Sequence, residues 1–110
     1  MMRITLETND ETLAGDLMDN RETVVGSKME LPGGIVVNCD RNEIRRGAGS
    51  EILIQLAISF VSGVSSQVLG SWLFKKLEGR LAKISINRRE VRVEEAELES
   101  VIDQEREREG

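Results

Sequence analysis

Alternation opens the chain: Ile4 and Leu6 are interleaved with Arg3, Thr5 and Glu7, the period-two pattern of a strand with one buried face. Thr8, Asn9 and Asp10 then supply capping side chains. Leu13, Leu17 and Met18 recur at helical spacing, which predicts a short N-terminal helix over residues 10–19 despite Gly15 inside it. Residues 22–25 and 28–31 flank Gly26-Ser27 and read as a hairpin with a glycine-led turn. Leu31-Pro32-Gly33-Gly34 is a turn signal, with proline preset for its second position and glycine free to take positive φ at its third. Ile35 to Cys39 is short, apolar and β-branched, an interior strand. Residues 41–50 are polar and contain glycine, and read as a loop or a ragged strand end, with Ser50 as the cap of the next helix.

The longest feature is Ile52–Phe74, 23 consecutive residues without a formal charge. Projected at 100° per residue, Gln55, Ser59, Ser62, Gly63, Ser66 and Gly70 share one side, while Leu53, Ala57, Val61, Val64, Val68 and Trp72 share the other. The expectation is one long central helix over about 50–79, with its apolar side on a sheet. Val61, Val64, Val68 and Trp72 should then pack on Ile35, Val37, Ile84 and Ile86. Serine and glycine are poor choices for an exposed helix, so the small-residue side is expected to be an interaction surface, with a second copy among its occupants. The same length meets the roughly 20 residues needed to cross a bilayer, so a single inserted span is the alternative. The arginines and lysines at its two ends balance and give it no orientation.

Two alternating runs, residues 83–87 and 90–93, predict a second hairpin. Leu98, Val101, Ile102 and Glu105 form the stripe of an acidic C-terminal helix. The fold expected is α+β: a small, mainly antiparallel sheet packed on the long helix, as one domain over residues 1–110.

Charge and composition narrow the function more by exclusion than by motif. The chain has no histidine and one cysteine, so the usual general base, the usual catalytic triads and a structural zinc site are all missing. Cys39, without a histidine to activate it, reads as a small buried hydrophobe. Arg46-Gly47-Ala48-Gly49-Ser50 has the glycines of an anion-binding helix entrance but not the lysine and hydroxyl ending of a phosphate loop. Asp10, Glu11, Asp16 and Asp19 do not follow a calcium-loop spacing. Arg41, Arg45 and Arg46 have no aromatic neighbour for base stacking. No enzyme activity, cofactor or metal is expected.

The formal charge of −5 argues against a nucleic-acid binder. Its distribution is uneven. Arg80, Lys83, Arg88, Arg89 and Arg92 form a basic stretch, a candidate charged patch for a partner, and eight acids follow between Glu94 and Glu109. A single cysteine and the absence of a secretory pattern at residues 1–7 point to the cytoplasm, with a membrane location under the alternative. The function expected is a small acidic, non-enzymatic interaction protein, homo-oligomeric, that binds and modulates a partner protein, with a basic partner suited to its charge, as an inhibitor, an immunity or antitoxin-like protein, or an assembly adaptor.

Overall fold

The computed structural model describes residues 1–18, 25–46, 50–61, 63 and 65–109. Their elements run β1 (Met2–Thr8), α1 (Glu11–Asp16), β2 (Lys28–Leu31), β3 (Ile35–Arg46), β4 (Ser50–Ser59), α2 (Ser66–Leu77), β5 (Ala82–Ile86), β6 (Arg89–Val91) and α3 (Glu95–Glu109). The six strands form one antiparallel sheet in the order β2-β3-β4-β1-β5-β6. The α+β class and the antiparallel sheet expected from the sequence are both present.

The long central helix is not. Residues 50–59 form β4, the strand between β3 and β1, and only residues 66–77 are helical. The helical projection failed because β4 is apolar on both faces. Ile52, Ile54, Leu56 and Ile58 point into the core, while Leu53 and Ala57 on the other face are each only 3% exposed. A strand buried on both faces loses its alternation and cannot be told from a helix by periodicity alone. The proposed span is therefore a strand, a turn and a three-turn helix. Among the described residues no helix is long and apolar enough to cross a membrane.

The helix faces shift accordingly. α2 buries Leu69, Leu73 and Leu77, not the valine stripe; Val61 is 52% exposed, Val68 and Trp72 are half-buried, and Val64 lies outside the described residues. α2 starts at Ser65, whose hydroxyl accepts from the Gln67 N–H at 3.1 Å. It stops where Gly79 takes φ +74°. α3 buries Leu98, Val101, Ile102 and Glu105, the stripe read from the sequence. Both helices share one continuous core with Met2, Ile4 and Leu6 of β1 and Ile84 and Ile86 of β5, so they lie on a single face of the sheet.

Three smaller corrections follow from backbone pairing. β2 pairs with β3 across the Pro32-Gly33-Gly34 turn, where both glycines have positive φ, and residues 22–24 of the expected first hairpin lie outside the described residues. Residues 41–46, expected as a loop or a ragged strand end, continue β3 as far as Arg46, carried past Cys39 by an irregularity that sets Cys39 opposite Leu56 and Arg41 opposite Gln55. The N-terminal helix covers six residues, Glu11–Asp16, with Asp10 as its cap. It is shorter than the pattern implied because Gly15 and the turn after Asp16 end it early, although Leu13, Leu17 and Met18 are all buried.

Candidate functional site

With the helices on one side, no helix among the described residues covers the other face of the sheet. Its central row runs Arg41 (β3), Gln55 (β4), Thr5 (β1), Ser85 (β5) and Glu90 (β6). The rows beside it set Arg3 opposite Ala57, and Glu7 opposite both Leu53 and Lys83. Leu53 also faces Glu43 on β3. The middle of the face is thus small or uncharged, and three cations (Arg3, Arg41, Lys83) and three carboxylates (Glu7, Glu43, Glu90) surround it. Two ion pairs lie on this border, Arg3 to Asp40 and Arg41 to Glu43, both at 3.5 Å. All four side chains are partly exposed, so these pairs orient the border more than they stabilise the fold.

The residues expected on one helical side are dispersed. Gln55 sits at the centre of the bare sheet face, and Ser59 ends β4. Gly63 occupies the turn with φ +87°, Ser62 lies outside the described residues, and Ser66 and Gly70 are buried in α2. Ser66 accepts from the Arg106 guanidinium at 3.1 Å, and the same guanidinium covers the Phe60 ring at 4.2 Å. A Cβ on Gly70 would lie 2.6 Å from Glu99 Cγ, so α3 of the same chain occupies the space that this glycine leaves. Among the described residues these positions do not form one shared surface.

The basic stretch is also divided. Arg80 turns inward and holds the carboxylates of Asp10 and Asp16, which ties the end of α2 to α1. Asp10 is held below the usual carboxylate range, first by the Thr12 hydroxyl at 2.6 Å, which outweighs the opposing desolvation, and then by the Thr12 N–H and Arg80. Of the four acids Asp10, Glu11, Asp16 and Asp19, two, Asp10 and Asp16, are thus committed to a guanidinium, and Asp19 lies outside the described residues. Arg89 donates to Gln104 at 2.5 Å, and Arg92 pairs with Glu97 at 3.5 Å, both on α3. Lys83 belongs to the bare sheet face, and Arg88 stands at the tip of the β5–β6 turn.

The remaining chemistry-bearing positions have structural settings. Cys39 is buried, and burial pushes its thiol up, with Asp40 adding to the effect, so the thiolate is disfavoured. Ser50 opens a strand rather than a helix, so the glycines before it lead to no helix N-terminus. Sequence reading missed the sheet face because Gln55 and Thr5, adjacent across β1 and β4, are 50 residues apart in the chain and meet only through strand pairing.

Compared with models of protein families, with curated proteins and with solved structures, the chain shows no match to any of them.

Proposed function

We propose that this chain is a non-enzymatic interaction protein that docks a partner protein against the bare face of its sheet, acting as an inhibitor, an immunity or antitoxin-like protein, or an assembly adaptor. The observation that carries this reading is the arrangement of that face: an uncharged, partly exposed middle at Thr5 and Gln55, with the buried Ala57 and Leu53 beside it, bordered by charges of both signs. Protein interfaces have this anatomy, with charge depleted where water is expelled and concentrated at the wet rim that sets orientation. The formal charge of −5 adds long-range attraction toward a basic partner and speeds encounter more than it tightens the complex.

The test is capture of partners from the native host by the wild-type chain and by surface variants. Thr5→Arg and Gln55→Arg place a bulky charge in the middle of the face. Gln67→Arg and Ser100→Arg do the same on the helical layer, where both positions are exposed. Loss of one defined partner from the two sheet variants, with retention by the two helix variants, is the expected result. A partner held equally by all four, or no stable partner at all, overturns the reading.

A further inference from the structure

The bare face is not flat at its end near the β5–β6 turn. An open cleft of about 380 Å³ lies there, lined by Met1, Met2, Arg3, Thr5, Gln55, Asn87 and Arg88. Three further clefts of comparable size have carboxylates in their walls: Glu109 in one, Glu7 and Glu51 in another, Glu90 and Glu97 in the third. This one has two guanidiniums and no side-chain carboxylate, in a chain whose formal charge is −5. A concave patch of the opposite sign to the whole molecule concentrates anions locally.

The turn beside the cleft is held in place, and the polar groups around it are left with capacity to bind. Asn87 accepts from the Arg3 N–H and donates its own N–H to the Arg3 carbonyl, both at 2.8 Å, which fixes the turn against β1 and brings Arg88 beside Arg3. Asn87 also donates to Glu105 at 3.2 Å, so its side chain is anchored at both its oxygen and its nitrogen. The Arg88 guanidinium, the Thr5 hydroxyl and the Gln55 amide make no hydrogen bond with any described residue. Arg3 reaches Asp40 at 3.5 Å from a 60% exposed position, which leaves most of its five donors open.

The backbone points the same way. The two-residue turn requires positive φ at both central positions, and Asn87 and Arg88 have +50° and +72°. Asparagine tolerates this conformation and glycine is the usual second residue, whereas a long side chain there is strained. Strain of this kind persists where the side chain is needed.

We propose that this cleft binds a phosphate group, with Arg3 and Arg88 as its two cationic donors and Thr5 and Gln55 completing the shell. Two guanidiniums match the near-double charge of a phosphate better than a single carboxylate, and each offers a planar two-donor fork. The site stands on its own lining and does not depend on a protein partner docking on the same face.

Amide NMR titration of the full chain with inorganic phosphate, glycerol 3-phosphate and acetate, at matched ionic strength, tests it. Saturable shifts at Thr5, Gln55, Asn87 and Arg88 are expected with one or both phosphates, and binding of acetate is expected to be at least tenfold weaker. The tighter of the two phosphates distinguishes an ester from the free ion. Arg88→Gly is expected to raise the melting temperature by relieving the turn and to weaken phosphate binding about tenfold, the effect of one charge-assisted hydrogen bond. Arg41→Gln, outside the cleft, is expected to leave binding within twofold. No saturable shift with either phosphate, equal binding of acetate, or undiminished binding by Arg88→Gly overturns the proposal.

Discussion

Residues 52–59 and 66–74 belong to one uncharged stretch of similar composition, yet the first is a central strand and the second a helix. The strand half carries Ile52, Ile54 and Ile58, whose branched side chains fit a pleated surface, and its apolar side chains are buried on both faces of the sheet. The helix half has leucine at 69, 73 and 77, one residue per turn, and a serine cap in front. Between them Gly63 turns the chain with positive φ. Lack of charge reports burial, and it leaves open the kind of element that is buried.

The largest expected effects test the two faces of β4. Ile54→Ala, in the closed core, should cost about 3 kcal/mol, because a cavity remains where the helices cannot collapse. Leu53→Ala, 3% exposed on the face that no described helix covers, should cost about 2 kcal/mol, since flexible surface side chains can partly fill the space it leaves. Urea denaturation of the pair measures both, and equal losses would mean that the sheet face is as closed as the core.

The two glycines of the stretch separate next. Gly70→Leu should destabilise by about 2 kcal/mol, since α3 stands where its side chain would go. Gly63→Ala meets nothing within 4 Å and should lose about 1 kcal/mol through its backbone conformation alone. A Gly70→Leu variant as stable as the wild type would show that α2 and α3 are less closely packed than described.

Acid sharpens the contrast at the far end of α2. The folded-state pKa of Asp10 lies below its unfolded value, so its contribution is fully present above about pH 4 and is lost as pH falls through the folded value. Melting temperature should drop in that window, and Asp10→Asn should flatten the slope. An unchanged slope would locate the acid sensitivity elsewhere. The smallest effect belongs to Val61→Asp. At 52% exposure in the connecting segment it should shift stability by no more than about 0.5 kcal/mol, whereas a buried position on a long helix would unfold the domain.

The sequence by itself determined the local grammar. Alternation marked β1, the residue pattern of 31–34 marked its turn, and the stripe Leu98, Val101, Ile102 and Glu105 marked the buried side of α3. Each of these depends on contacts within a few residues, so a window of sequence contains the cause. Tertiary structure alone decided the state of residues 50–59, because a strand between two others is defined by partners at Met2–Thr8 and Ile35–Arg46 and not by its own pattern. It also decided which basic residues share a surface: Arg80 went to α1, Arg89 and Arg92 to α3, and Arg88 joined Arg3 from the other end of the chain. Hydrogen bonding between strands brings together side chains that are distant in sequence, and the cleft and the sheet face exist only after that pairing is made.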